Sequence, residues 1–326
     1  MARRPITIAG ARRRFRRTLD EVLRTSLQPI VRLSVPRPMG RVMLNAGYRA
    51  LSMRQSARFY DLFWDVFVNA TPDQGHGIWT LKFCGRRIRV PFLSGSLSLD
   101  WRIAIAILGH DSEIKRTYAA LISNGGRPDV FLDVGSNLGT HSVLFLAHGI
   151  PTVSFDPNAE CNEYLRALCA ANGLVPRIEA VAVGDRAASV DLRYPPDSMW
   201  LGSTDPATTD QLQQEHVTVT RRVEQRAIDD YLPEFLGRKL LVKIDTEGNE
   251  RHVLEGALRT LRELHPPVLF ECLTADKRRG VYEILSSVGY QVSPLPWEGP
   301  ATRPHPLTLA DFLAAPGTNF AALPFA

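Results

Sequence analysis

The chain has 326 residues, 44 % of them hydrophobic and 22 % charged, a composition that excludes a disordered or fibrous protein and leaves room for a sizeable core. Its 39 basic and 34 acidic side chains give a net charge of +5, but the excess is not evenly spread. Residues 1–58 carry 14 Arg, no Lys and only Asp20 and Glu21, for +12, while the remainder of the chain carries −7. A protein that binds nucleic acid with its whole surface needs its positive charge on the binding body, so no nucleic-acid partner is expected.

Residues 12–31 have a helical period, with Phe15, Leu19, Val22, Leu23, Leu27 and Ile30 on one side and Arg12, Arg13, Arg16, Arg17 and Arg24 on the other. Such a basic amphipathic helix fits an anionic membrane surface or a partner, packing on its own body with a solvated Arg face, or organellar targeting. Pro36, Pro38 and Gly40 then break the chain. A second helical stretch over 41–69 carries Tyr48, Phe59, Tyr60, Phe63, Trp64 and Phe67, a stripe suited to a core. Thr71 to Gly77 is a turn cluster, and 78–83 with 86–92 alternates as a hairpin about Cys84-Gly85. Helices are expected over 101–108 and 113–123, ending at Asn124-Gly125-Gly126.

From Pro128 strands and helices alternate. Strands are expected at 130–134, 151–155, 177–183, 190–194, 217–223, 240–244, 268–272 and from 290, and helices at 140–148, 158–172, 249–264 and 277–288. This alternation predicts an α/β fold with a doubly wound, mostly parallel sheet. The polar, turn-rich 195–215 is a lid or a mobile segment. Three parts are expected: an Arg-rich helical extension at 1–70, a hairpin-and-helix cap at 71–127, and a Rossmann-like domain at 128–326.

The chemistry concentrates at strand ends. Asp133-Val134-Gly135-Ser136-Asn137-Leu138-Gly139 lies between a strand and a helix, where doubly wound sheets bind ligands. Gly135 and Gly139 permit close backbone approach. An acid two positions before the first glycine repels a pyrophosphate and attracts a cation, which suits S-adenosylmethionine with its ammonium and sulfonium. Asp156 follows Gly135 by 21 residues, at the place of a ribose-binding acid. Asp185 closes the third strand in a turn expected near the adenine, as a ligand contact or equally as a plain turn residue. Asp133, Gly135, Ser136, Asn137, Gly139, Asp156 and Asp185 are therefore the candidate cofactor residues. The fourth strand ends in Lys243-Ile244-Asp245-Thr246-Glu247, and Glu271 ends the next. Asp245, Glu247 and Glu271 are the candidate catalytic groups: a positioned base removes the acceptor's proton for a gain of about 10²–10⁴. Asp245 and Glu247 could instead hold the cofactor's amino end, and capping of the next helix by Thr246 or Asn249 competes. His141, His252 and His265 suit packing or surface positions. No metal is expected, although the three acids could form an oxygen-rich site.

Cys84, Cys161, Cys169 and Cys272 show no ligand spacing and fit buried thiols of a reducing, cytoplasmic compartment. No apolar run is long enough to span a bilayer.

The stretches FLDVGSNLGTHSVLFLA, VSFDPNAECNEYLRALCAANG, EAVAVGD, LLVKIDTEGNERHVLEGA and PPVLFECL resemble the FkbM family of S-adenosylmethionine-dependent methyltransferases over about 128–290. The resemblance implies a class I methyltransferase fold whose seventh strand enters antiparallel. It also implies O-methylation of a hydroxyl or carboxyl on a sugar, polyketide or lipid-linked glycan. The family's acid at the second strand is commonly Glu; Asp156 is shorter and keeps the chemistry. An RNA methyltransferase and a non-catalytic membrane-docking module on the same fold are the alternatives.

Overall fold

The computed structural model describes residues 8–68, 77–92 and 101–325, with side chains from residue 20 onward. The side chains expected to pattern the first turns of the N-terminal helix, and most of the turn cluster at 71–77, lie outside the described residues. The described residues within Met1–Lys82 and Arg89–Ser112 form one compact unit, and those within Phe83–Ile88 and Glu113–Ala326 form another.

In the first unit, α1 (Ile8–Ser34) is followed by α2 (Pro38–Tyr48), with Pro38 at the first helical position, where its missing N–H costs nothing. The stretch expected as one helix is two: α2 ends before Arg49, and α3 (Met53–Val68) starts anew. Ser52 is the reason. Its hydroxyl accepts from the Gln55 amide at 3.4 Å, and its own amide donates to Gln55 Oε1 at 2.8 Å, a reciprocal cap that starts a helix. The aromatic stripe is core, with Tyr48, Phe63 and Phe67 buried and Tyr48 and Phe67 packed on Trp79. Asn45 exchanges two hydrogen bonds with the backbone of Thr80, tying α2 to the hairpin strand β1 (Ile78–Phe83). β1 pairs with β2 (Arg86–Pro91), and α4 (Trp101–Gly109) follows.

The second unit continues with α5 (Ser112–Ser123) and the alternating elements β3 (Val130–Val134), α6 (Ser142–Leu146), β4 (Thr152–Phe155), α7 (Ala159–Ala170) and β5 (Arg177–Glu179). Next come β6 (Ala182–Val183), β7 (Ala188–Tyr194), α8 (Pro206–Glu215), β8 (Val219–Arg226), α9 (Leu232–Phe235) and β9 (Leu240–Ile244). The chain closes with α10 (Glu250–Glu255), α11 (Leu258–Leu264), β10 (Val268–Glu271), α12 (Ala275–Ser287), β11 (Tyr290–Pro294), α13 (Leu309–Ala314) and β12 (Asn319–Pro324). A seven-stranded sheet runs in the order β11-β12-β10-β9-β3-β4-β5. The strands from β10 to β5 are parallel, and β12 is antiparallel to both of its neighbours. This is the expected doubly wound α/β class, with the antiparallel strand that the resemblance implied. Strands β3 and β9 read VFLDV and LLVKI and are buried along their whole length, as helices on both faces of a sheet require.

The structure refines the expected elements in four places. Residues 177–183 are two short strands in different sheets, because β6 leaves the main sheet to pair with β8. Residues 249–264 are two helices parted at Gly256, where a Cβ would lie 2.0 Å from the carbonyl oxygen of Gly184. In 195–215, Pro196–Leu201 is a 3₁₀ turn and α8 is a capped helix; Asp205 accepts from the Thr208 amide, and Pro206 takes the first helical position. The proline-rich end supplies α13 and β12, whose strand is buried as NFAA before it emerges.

Candidate active site

The site forms at the carboxyl ends of β3, β4 and β9. β3 ends at Val134, and the chain turns through Gly135 (φ 73°), Asn137 (φ 50°) and Gly139 (φ 74°). The amides of Gly135 and Ser136 both donate to the Phe155 carbonyl at 3.0 Å, which anchors the turn to the end of β4. Gly135 also meets the end of β9: a Cβ there would lie 1.7 Å from the Asp245 carbonyl oxygen, so only glycine fits. Gly139 serves packing instead, since a Cβ would strike Leu165 at 2.3 Å.

Asp156 closes the cleft on the β4 side. Its two carboxylate oxygens accept from the amides of Asn137 and Asn158, each at 2.8 Å. One bond reaches across from the glycine turn and the other caps the chain entering α7. Burial pushes its carboxyl up to about 6, against these two amides and the cation of Lys243. Gly135, Asn137, Asp156, Asp245 and Glu247 line one cleft, with Phe155, Met199 and Trp200 among its apolar walls.

Asp133 does not line that cleft. It is wholly buried on β3, its Oδ2 accepting from Ser142 Oγ at 2.5 Å and its Oδ1 lying 3.9 Å from Lys243 Nζ. Burial raises its carboxyl, and Lys243 and Ser142 oppose the rise. Lys243 is the residue that sequence reasoning missed. It is buried on β9 directly opposite Asp133, and its ammonium donates to Asp245 Oδ2 at 3.0 Å and to the Gly135 carbonyl at 3.3 Å. A lysine inside the otherwise apolar run LLVKI was its signal, since a fully buried Lys needs partners. Beside this pair, Lys115 Nζ lies 3.0 Å from His141 Nε2, and His141 Nδ1 lies 2.9 Å from the Tyr118 hydroxyl. The ammonium can only donate, so Nδ1 carries the imidazole proton and donates it to Tyr118.

Ser136 is buried behind the turn. Asp185 is not brought to the cleft; it faces Arg186 at 2.5 Å and Gln225 at 3.4 Å. Glu247 sits at φ 53°, its carbonyl accepting from Ser203 Oγ at 2.9 Å. Carboxylate oxygens of Asp245, Glu247 and Glu271 all lie within 4.8 Å of one another. Capping of this acidic turn falls to neither Thr246 nor Asn249. The buried Glu250 Oε1 accepts from the Thr246 amide, the Thr246 hydroxyl and the Gly248 amide, each at 3.0 Å. Asn249 instead donates from Nδ2 to the Val183 carbonyl at 3.3 Å. Trp200 is also new, half-exposed at the cleft, its carbonyl accepting from Asn137 Nδ2 at 3.3 Å.

His252 pairs with Glu255 at the surface, and His265 ends α11 in a left-handed conformation. All four cysteines are free, three of them buried.

Residues 133–292 match the family model of the methyltransferase FkbM domain. This stretch is an FkbM-type methyltransferase domain. It begins at Asp133 and runs through Asp156, Asp245 and Glu271, so the whole cleft lies inside the match. The fold is similar to that of the methyltransferase FkbM from Methylobacillus flagellatus KT, at 15 % identity and a TM-score of 0.37, covering 68 % of this chain and 53 % of that one. This chain thus spans about half the length of that protein. It is also similar to SMU.776, a methyltransferase complexed with SAH, at 11 % identity, a TM-score of 0.39, and coverage of 83 % and 66 %. For the SAM-dependent methyltransferase from Agrobacterium tumefaciens the figures are 11 % identity, a TM-score of 0.35, and coverage of 78 % and 72 %. No curated protein matches the sequence.

Proposed function

We propose that the cleft binds S-adenosylmethionine and that the enzyme methylates an oxygen, a hydroxyl or carboxyl on a sugar, polyketide or lipid-linked glycan. The observation that carries the cofactor assignment is the convergence of Asp156 and Asp245 on the Gly135 turn, in one cleft at the sheet's carboxyl edge. The residues fit the group on their own chemistry. A backbone pressed against its neighbour at Gly135 keeps side chains out of the cradle, and an acidic donor set suits a cofactor that carries two positive centres.

Asp156 has one amide on each oxygen, which leaves each a free lone pair for the two ribose hydroxyls. Asp245 attracts the amino end of the cofactor, while Lys243 holds its carboxylate from below. Asp133, closed off by Ser142 and Lys243, balances the lysine rather than touching the ligand. When bound, the cofactor supplies a methyl group activated by a sulfonium. The chain's remaining task is to align the acceptor and remove its proton. Glu247 or Glu271 suits that step, because their carboxylates stand beside that of Asp245, which the buried lysine holds.

Calorimetry with S-adenosylhomocysteine tests the cofactor. Binding that is lost in Asp156→Ala supports it; no heat at millimolar ligand overturns it. The acceptor is tested by mass spectrometry of small molecules and glycans from cells with and without the gene, where a lost 14-dalton increment on an oxygen is expected. An increment lost from RNA instead would overturn the acceptor class.

A further inference from the structure

The first compact unit carries a surface that methyl transfer does not use. On α1, Val22, Ile30 and Leu33 are exposed, on the face opposite the buried Val31. On α2, Met39, Val42 and Met43 are 73 %, 62 % and 72 % exposed, at i, i+3 and i+4, opposite the buried Asn45 and Tyr48. Two consecutive helices thus each bury one face and leave an apolar stripe in water, where core-forming side chains are not stable without a partner.

The charges around these stripes say which partner. Arg32, Arg37 and Arg49 are exposed, and none has an ion pair among the described residues. The two acids of the segment are both engaged. Asp20 accepts from Arg58 at 2.6 Å, and Glu21 also has a partner. Arg24 reaches Asp65 on α3. The unpaired charge beside the apolar stripes is therefore all positive. A second copy of this chain would bring two +12 segments together, a repulsive arrangement.

We propose that α1 and α2 dock the protein on an anionic lipid surface. Their exposed apolar side chains enter the boundary between headgroups and acyl chains, and the flanking arginines bind lipid phosphates. Apolar burial and electrostatic attraction together are what an interfacial helix needs, and neither suffices alone. No described helix is long and apolar enough to cross a membrane, so the association is peripheral. The arginine stems lie along the apolar surface while their guanidinium groups reach the phosphates. This inference stands apart from the methyl-transfer assignment, and its test reads neither cofactor nor acceptor.

The test is flotation of the full chain with phosphatidylcholine vesicles and with vesicles containing one quarter phosphatidylglycerol. At 0.1 M salt the partition coefficient should be at least tenfold higher on the anionic vesicles. It should fall severalfold at 1 M, where the screening length shrinks from about 10 Å to about 3 Å. Met39→Glu/Met43→Glu should lower it at least tenfold with an unchanged circular dichroism spectrum and elution volume. Arg32→Gln/Arg37→Gln, which alters no buried group, should lower it severalfold. The proposal is overturned by protein left in the soluble fraction with anionic vesicles, by equal binding to neutral vesicles, or by a dimer in light scattering that the methionine changes dissociate. Loss of binding in the arginine variant with full retention in the methionine variant also overturns it, by reducing the contact to charge alone.

Discussion

The backbone of Gly135 lies against the carbonyl of Asp245 so closely that a Cβ would sit 1.7 Å from the oxygen. The turn after β3 and the acidic turn after β9 thereby share one wall, and the floor of the cleft is set by backbone rather than by side chains. Gly135→Ala must part these two turns and also adopt φ 73°, which alanine resists. The expected cost is at least about 2 kcal/mol of stability, in the range of strain at a special backbone position. S-adenosylhomocysteine affinity should fall with it. Urea unfolding read beside calorimetry checks both, and a variant with wild-type stability and affinity would show that the contact is not needed.

Lys243 is the buried counter-ion of this wall. Its ammonium is 3.0 Å from Asp245 and 3.9 Å from Asp133, and Asp133 has no exposure to water at all. Removing one member of a buried ion set costs about 3–5 kcal/mol, because the remaining charge stays unpaired. Lys243→Met should therefore destabilise the domain by that order. Lys243→Met/Asp133→Asn should recover part of the loss, since the stranded charge is removed as well. Chemical unfolding of the three variants tests this; a double variant no better than Lys243→Met would mean that Asp133 is already neutral in the fold.

The elements that were legible in the sequence share one property: a local pattern decides them. The apolar runs of β3, β9 and β10 and the glycine spacing of 133–139 placed the fold and the cleft, and Asp245 with Glu247 placed its far wall. What was not legible depends on groups far apart in the chain. Asp133 and Asp185 occupy strand ends of the expected kind, yet Ser142 with Lys243 closes off the first, and Arg186 with Gln225 engages the second. No local pattern states which way a strand-end side chain faces. The breaks at Ser52 and Gly256 lie between. Ser52-Met53-Arg54-Gln55 is a capping sequence visible in the chain, whereas the approach of Gly256 to Gly184 exists only in three dimensions.

Asp156 should make cofactor affinity pH-dependent. Burial lifts its carboxyl from 3.8 to about 6, so the folded protein binds this proton more tightly than the unfolded chain does. The stability it contributes is full below about 4 and is lost as pH rises through about 6. Ligand binding runs the other way, because only the ionised carboxylate can accept from both ribose hydroxyls. Below about 6, S-adenosylhomocysteine should bind more weakly, approaching tenfold per pH unit for one proton. Asp156→Asn should bind roughly 10- to 100-fold more weakly at pH 8 and lose the pH dependence. Calorimetry from pH 5 to 8 decides; a slope that survives in Asp156→Asn would assign the proton to another group.

Under the proposed function, the three acids at the ends of β9 and β10 separate into a holder and a base. Asp245 is committed to Lys243 at 3.0 Å, and under the proposed function it holds the cationic end of the cofactor. Asp245→Asn should therefore weaken S-adenosylhomocysteine in calorimetry. Glu247 and Glu271 complete the set, their carboxylate oxygens within 4.8 Å of one another and of Asp245. Glu247→Gln and Glu271→Gln keep the shape and remove the basicity, so each should leave S-adenosylhomocysteine affinity within about threefold of wild type. The one that acts as base should lower methyl transfer by about 10²–10⁴. The measurement is the 14-dalton product in cells that carry each variant in place of the wild-type gene, read beside calorimetry on the purified proteins. Full product with both glutamines present would remove these carboxylates from proton transfer and leave alignment of the acceptor as the chain's whole contribution.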